Sequence, residues 1–253
     1  MPEDPFKTMI LKTYKDPVTV AEQAARLIAE EIRAAVDARG RCRVALAGGS
    51  TPERAYRLLA RPDFTGEIDW GRVDLWFGDE RYVPHDDPRS NYWMARLSLI
   101  DAIPIPGANV HPVRTDLPSP AEAAADYHDA LIREFGEGPP RFDLILLGLG
   151  DDGHTASLFP GALALSAGDR WAIDSPPGVL PPPVDRITLT FPVLNATRRV
   201  LFLVVGVGKA DAVRDILHRG ASVIDRPAAG VKPVDGEVTW LLDEAAGGGL
   251  QEE

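Results

Sequence analysis

Two carboxylates and an imidazole lie close together in a glycine-rich segment in the middle of the chain. Asp151, Asp152 and His154 belong to the stretch 142–161, which reads FDLILLGLGDDGHTASLFPG. A neighbouring carboxylate can fix the tautomer of an imidazole and raise its basicity, as a general base requires. His154 is therefore a candidate general base. On these residues alone, a histidine without a catalytic role remains an equal alternative.

The same stretch matches the G-x-G-x-x-G pattern of dinucleotide-binding loops between Gly148 and Gly153. The two aspartates would face the incoming pyrophosphate, however, and Pro160 would interrupt the helix that has to follow. We therefore interpret the match as chance and expect no nucleotide cofactor. We also expect no metal, because the histidines and the single cysteine lack the spacing of a zinc site.

A second glycine-rich turn has the features of a phosphate site. Gly48, Gly49, Ser50 and Thr51 follow a predicted strand and precede Pro52, which can begin a helix. Such a turn offers backbone N–H groups, two hydroxyls and a helix N-terminus to an anion. The alternative is a plain turn in which Thr51 only caps the helix.

Two further turns contribute cations. Lys209 follows Gly206-Val207-Gly208 at the start of a predicted helix. A cation is unfavourable there unless an anion binds beside it, although a solvated surface lysine is the simpler alternative. Arg81 follows Asp79-Glu80 and could contact a phosphate or a developing negative charge. The alternative for Arg81 is a local salt bridge.

These turns need strands and helices to bring them together. The unbroken apolar run at 144–147 is typical of a strand buried on both faces of a parallel sheet. The other predicted strands cover 43–47, 73–77, 110–113, 186–191, 199–205 and 238–242. The predicted helices follow Asp16, Thr51, Ser90, Ser119 and Gly208, and a proline-rich loop covers 175–183.

Strands that alternate with helices predict the fold class and the position of the site. We expect one α/β domain over residues 1–253, a three-layer sandwich around a mostly parallel, doubly wound sheet. Open α/β sheets bind their ligands at the carboxyl ends of the strands, which is where the polar turns lie.

Composition excludes several classes of function. The net charge of −11 argues against nucleic acid or an anionic membrane as a partner. The apolar runs are too short to span a bilayer, and we see no signal-peptide core. The single cysteine, Cys42, excludes an internal disulfide and fits a packing role in a reducing compartment. We therefore expect a cytoplasmic protein, either a monomer or a homodimer.

Five segments, in this order, resemble the 6-phosphogluconolactonases, within the superfamily that includes glucosamine-6-phosphate isomerase/deaminases. They read ALAGGSTPERAY, WFGDERYVPHDDPRSNY, LILLGLGDDGHTASLFPG, RITLTFPVLNAT and LFLVVGVGKA. The resemblance implies a NagB/RpiA-like fold and a carboxylic ester hydrolase without metal or nucleotide. Its substrate would be 6-phospho-D-glucono-1,5-lactone, which the oxidative pentose phosphate pathway converts to 6-phospho-D-gluconate in its second step.

The resemblance also implies roles for individual residues. His154 would deprotonate a water that attacks the lactone carbonyl, while Asp152, with Asp151 as a further candidate, supports the imidazole. Arg81 would contribute at the phosphate or at the oxyanion, and Arg186 is a further site candidate. The residues implied to hold the phosphate are Gly48, Gly49, Ser50, Thr51 and Lys209.

The deaminase branch of the superfamily differs at two places. It carries Asp-Glu-Tyr where this chain has Asp-Glu-Arg81, and a glutamate-containing run where residues 156–160 read ASLFP. Isomerisation needs that acid, whereas hydrolysis needs only a base and a water, so the hydrolase is favoured. A non-catalytic sugar-phosphate sensor is the other alternative, although a pure binder does not need a base.

Overall fold

The structure, a computed structural model, describes residues 9–177 and 183–250. Within these ranges the strands are β1 (Met9–Tyr14), β2 (Cys42–Leu46), β3 (Val73–Phe77), β4 (Asp79–Arg81), β5 (Leu144–Leu147), β6 (Ala172–Ser175), β7 (Arg186–Leu189), β8 (Arg199–Val204) and β9 (Glu237–Asp243). The helices are α1 (Pro17–Arg39), α2 (Ser50–Leu59), α3 (Pro62–Thr65), α4 (Asn91–Ser98), α5 (Pro120–Phe135), α6 (Phe191–Ala196), α7 (Ala210–Leu217) and α8 (Glu244–Gly247). Most of the predicted proline-rich loop at 175–183 lies outside the described residues.

The main sheet is parallel, and its six described strands have the order β1-β9-β8-β5-β2-β3. This confirms the predicted fold class. The chain runs outward from β2 to β3 and then returns to the other side of β2 to form β5. The connections therefore leave β2 and β5 in opposite directions and open a crevice at the carboxyl ends of these two strands.

Both faces of this sheet are covered, as the apolar run in β5 predicts. Leu144 and Leu146 pack in one core with α1 and α2, whereas Ile145 and Leu147 pack in a second core with α5 and α7. All four side chains are buried. Because strand side chains alternate between faces, one continuous apolar segment supplies both cores and holds its carboxyl end rigidly at the crevice.

A second, antiparallel sheet lies beside the main one, with the order β4-β7-β6. The sequence predicted β7 but neither β4 nor β6, which are short and partly polar. The predicted strand at 186–191 ends at Leu189. The pairing of β4 with β7 sets Arg81 directly opposite Arg186. This small sheet therefore brings two arginines together that lie far apart in the sequence.

Local signals placed most of the helix ends correctly. Asp16 accepts a hydrogen bond from the Thr19 N–H at 2.8 Å and caps α1, which ends at Gly40 with a φ of 75°. Ser119 caps α5 in the same way. Some details differ: α2 begins at Ser50, α7 begins only at Ala210, and the predicted strand at 110–113 is only a single bridge from Val110 to β3.

The surroundings of the single cysteine and the character of the helices bear on two further expectations from the sequence. Cys42 is fully buried in β2, and burial raises the pKa of its thiol, which fits the predicted packing role. Among the described helices, none combines the length and the apolar character needed to cross a membrane.

Candidate active site

A cavity of about 300 Å³ opens at the crevice formed by the carboxyl ends of β2, β3 and β5. The turns after these strands line it, together with residues from the small antiparallel sheet and with Lys209, which directly precedes α7. The predicted site residues that line it are Gly48, Gly49, Arg81, His154, Arg186 and Lys209. The other predicted residues, Ser50, Thr51, Asp151 and Asp152, are not among its lining residues.

His154 is held against the cavity by Asp152. Its Nδ1 lies 2.6 Å from Asp152 Oδ1, and its backbone N–H donates to the same oxygen at 3.0 Å. A carboxylate can only accept when ionised, so Nδ1 carries the proton, and in the neutral imidazole Nε2 is the nitrogen whose lone pair faces a ligand or a water. This is the arrangement that a general base requires.

The ionised state of Asp152 follows from its surroundings. Burial alone would raise the pKa of this carboxyl group, but the hydrogen bonds from the ring and the backbone of His154 outweigh burial and lower the pKa. The carboxylate is therefore charged at neutral pH and can stabilise an imidazolium when one forms.

Gly150 provides the space for this pair. Its N–H donates to the carbonyl oxygen of His154 at 2.8 Å. A Cβ built on Gly150 would lie 2.0 Å from His154 Nδ1 and 2.5 Å from Asp152 Oδ1. Only a residue without a side chain allows the imidazole and the carboxylate to pack on this backbone.

A Gly150→Ala variant is therefore expected to fold but to lose activity. The added methyl group must push the imidazole out of place, and a displacement of about 1 Å can lower kcat about 100-fold. Steady-state kinetics together with a thermal melt check this. Gly168→Ala is the control, because a Cβ on Gly168 meets nothing within 4 Å. Equal activity of the two variants would show that the position of the imidazole is not critical.

Glu80 fixes the backbone at Arg81. This fully buried carboxylate accepts hydrogen bonds from the N–H groups of Arg81, Asn91 and Tyr92, each at 2.7 Å, and from Ser90 Oγ at 3.0 Å. Burial raises the pKa of Glu80 against the effect of these donors. Glu80 therefore does not form the local salt bridge that was considered for Arg81. Its carboxylate binds backbone N–H groups at the N-terminus of α4 instead. Sequence reasoning missed this role.

Two guanidinium groups line the cavity without a carboxylate partner among the described residues. Arg186 is only 9% exposed, and its Nε donates to the Val184 carbonyl oxygen at 3.2 Å. Arg81 donates from Nη1 to the Arg89 carbonyl oxygen at 2.6 Å, and its buried Nε has no hydrogen-bond partner within residues 9–177 and 183–250. Burial lowers the pKa of Arg186, partly offset by the charge of Asp79. Two such cations in one cavity favour an anionic ligand.

Asp79 and its partners form a buried, hydrogen-bonded part of the cavity wall. Ser157 Oγ donates to Asp79 Oδ2 at 2.6 Å, and Asn91 Nδ2 donates to the Asp79 carbonyl oxygen at 2.8 Å. Asp79 and Asn91 line the cavity but were not predicted site residues. The Gly-Asp-Glu-Arg turn was the available signal for Asp79, whereas Asn91 carried only a helix-start signal.

Phe159 and Ala156 complete the wall beside His154. The Phe159 ring lies 4.8 Å from the imidazole, centroid to centroid, and so limits its rotation. Ala156 has a φ of 47°, a left-handed conformation that is strained for a residue with a side chain. Neither residue type pointed to the site from the sequence alone.

The remaining anion-binding elements lie at the rim. α2 starts after Gly49, whose φ is 105°, and no side chain of the described residues caps it, so Thr51 does not act as the cap. The first N–H groups of α2 are therefore open to a ligand. Lys209 precedes α7, and its ammonium group contacts the Asp151 carboxylate. Within the described ranges, we find no group of three or more residues suited to hold a metal ion.

Residues 15–240 match the protein family described as glucosamine-6-phosphate isomerases/6-phosphogluconolactonase. The chain belongs to this family. A Synechocystis family member named 6-phosphogluconolactonase is 42% identical over 91% of this chain and 93% of its own length. A Rattus norvegicus member with the same name is 39% identical over 94% of this chain and 92% of its own length.

A solved structure of a family member agrees with the fold. The 6-phosphogluconolactonase from Trypanosoma cruzi superposes with a TM-score of 0.88 at 30% identity, covering 99% of this chain and 100% of its own. The resemblance seen in the five sequence segments is thereby confirmed over nearly the whole chain.

Proposed function

We propose that this protein hydrolyses 6-phospho-D-glucono-1,5-lactone to 6-phospho-D-gluconate, as a carboxylic ester hydrolase of the pentose phosphate pathway. One observation carries the proposal: a histidine oriented by a carboxylate lines the same cavity as two guanidinium groups without carboxylate partners among the described residues. The names of the relatives support the choice of substrate. A cytoplasmic location and the choice between monomer and homodimer stay predictions.

The hydrolysis begins with proton transfer to His154. Nε2 takes a proton from a water whose oxygen attacks the lactone carbonyl carbon, while Asp152 stabilises the imidazolium. The carbonyl oxygen becomes an oxyanion. When the tetrahedral intermediate collapses, the bond to the ring oxygen breaks, and the imidazolium returns its proton to that oxygen. The products are a carboxylic acid and a hydroxyl group on the opened chain.

Cations hold the phosphate and the developing charge in this proposal. Arg186 and Lys209 bind the phosphate together with the N-terminus of α2, which contributes Ser50 and Thr51. Arg81 serves the phosphate or the oxyanion. The reaction as written needs a base, a water and positioned cations, and the described residues supply the base and the cations.

An assay with two substrates tests the proposal. The purified protein is expected to accelerate loss of the phosphorylated lactone above its spontaneous hydrolysis, and to release no ammonia from glucosamine 6-phosphate. Ammonia release would instead support the deaminase. Thermal stabilisation by 6-phosphogluconate without any acceleration of lactone loss would support the sugar-phosphate sensor.

A Lys209→Ala variant is expected to have a higher KM for the phosphorylated lactone with a nearly unchanged kcat. The ammonium group binds the phosphate equally in the ground state and the transition state, so its loss weakens uniform binding. KM for unphosphorylated gluconolactone is the internal control and should change much less. Equal changes in KM for the two lactones would remove Lys209 from the phosphate site.

A further inference from the structure

The ammonium group of Lys209 already has an anionic partner in the protein. Lys209 lines the cavity, yet its Nζ contacts Asp151 Oδ1. The Asp151 side chain is 62% exposed and is not among the lining residues of the cavity. A Cβ on Gly208 would lie 3.3 Å from both carboxylate oxygens of Asp151, so the carboxylate lies against the turn that leads into Lys209.

This pairing separates Asp151 from its neighbour in the sequence. Asp152 binds the imidazole of His154, whereas the Asp151 carboxylate forms its hydrogen bond and its ion pair with Lys209. From the sequence, both aspartates are candidates to support the imidazole of His154. The geometry assigns them to different partners, one at the general base and one at the phosphate site.

Lys209 also differs from the other two cations of the cavity. Arg81 and Arg186 have no carboxylate partner in the part of the chain that the structure describes, so a phosphate can bind them without displacing an anion. A phosphate that approaches Lys209 meets the Asp151 carboxylate on the same ammonium group. Two anions on one cation repel each other, so the carboxylate opposes the phosphate.

We propose that Asp151 occupies Lys209 in the free protein and gives it up to the phosphate of the ligand, so that Asp151 sets how tightly the phosphate is held. The proposal rests on the phosphate role of Lys209 in the proposed function. Asp151 then weakens binding of substrate and product alike, and it returns to the ammonium group when the phosphate leaves. A ligand without a phosphate does not compete with Asp151 for the ammonium group of Lys209, so Asp151 does not affect its binding.

If Asp151 instead helps Lys209 to bind the phosphate, removal of its charge should change the phosphate affinity in the opposite direction. Lys209 has three N–H donors, and a carboxylate that held one of them could orient the other two toward a phosphate. Removal of the Asp151 charge would then weaken phosphate binding, whereas it strengthens binding under the proposal. The sign of the change decides between the two roles.

An Asp151→Asn variant keeps the shape of the side chain and removes its charge. We expect Kd for 6-phosphogluconate, measured by titration calorimetry, and KM for the phosphorylated lactone to fall about two- to fivefold, as for a partly exposed ion pair. KM for unphosphorylated gluconolactone should stay unchanged. Asp211→Asn is the matched control, because it removes the same charge from a 75% exposed side chain of α7 that pairs with Arg214.

A Lys209→Met variant completes the test. In that background, Asp151→Asn should no longer change Kd for 6-phosphogluconate, because the ammonium group for which carboxylate and phosphate compete is gone. If Lys209→Met weakens binding but Asp151→Asn fails to tighten it, this inference falls and the proposed function stands. If Lys209→Met leaves Kd unchanged, the phosphate role of Lys209 falls, and the inference falls with it.

Discussion

A His154→Ala variant is expected to hydrolyse the phosphorylated lactone with a kcat lower by a factor on the order of 10²–10⁴. The variant keeps the cavity and its cations but loses the imidazole, whose Nδ1 is hydrogen-bonded to Asp152. Water must then attack without a base. Initial rates at saturating substrate, corrected for spontaneous hydrolysis, measure the effect.

Two controls show that this loss is chemical. Kd for 6-phosphogluconate should stay close to that of the unmodified protein, because His154 is not part of the proposed phosphate site. His218→Ala, at an exposed position just after α7, should leave kcat unchanged. Asp152→Asn should lower kcat less than His154→Ala, since it removes the orienting group and leaves the base. A His154→Ala variant with normal kcat would remove His154 from the mechanism.

An Arg186→Met variant is expected to raise KM for the phosphorylated lactone by at least about 30-fold. In the proposed complex the phosphate pairs with the buried Arg186, and loss of one partner of a buried charge pair is costly. The same change should raise the melting temperature of the ligand-free protein. Arg186 is a buried cation without a carboxylate partner among the described residues, and an apolar side chain of similar length removes that unfavourable charge. Kinetics and a thermal melt without ligand measure the two effects.

The combination of these two effects distinguishes a binding role from a structural one. A structural arginine would lower the melting temperature when replaced, and would affect phosphorylated and unphosphorylated lactones alike. Arg141→Met, at an exposed position, is the control and should change neither quantity. A lower melting temperature for Arg186→Met would show that Arg186 is compensated in the free protein.

The sequence was sufficient to predict the parallel sheet and the edge at which the polar turns meet. A buried strand such as β5 can be recognised from its continuous apolar run alone. The carboxyl ends of parallel strands share one edge of the sheet whatever the strand order. Helix starts at Asp16 and Ser119 were also predictable, because a cap depends on residues within a single turn. The lining of one cavity by His154, Arg81 and Lys209 followed from these local signals.

Features that depend on distant partners could not be predicted. β4 is a three-residue strand that forms only because β7 pairs with it, so the proximity of Arg81 and Arg186 had no local signal. Glu80 looks like an ordinary acid in the sequence and is defined by the backbone groups of α4 that surround it. The pairing of Asp151 with Lys209 likewise requires the order of β5 and β8 in the sheet.

The pairing of the first strand with the last has a consequence for how the protein folds as it is synthesised. Among the described strands of the main sheet, β1 lies at the edge and has β9 as its only neighbour, near the other end of the described chain. A ribosome releases β2, β3, β5 and β8 before β9, so these strands can associate while β1 still lacks a partner. The strands that carry the turns around His154 and Lys209 can therefore assemble first, and the N-terminal strand joins the sheet last.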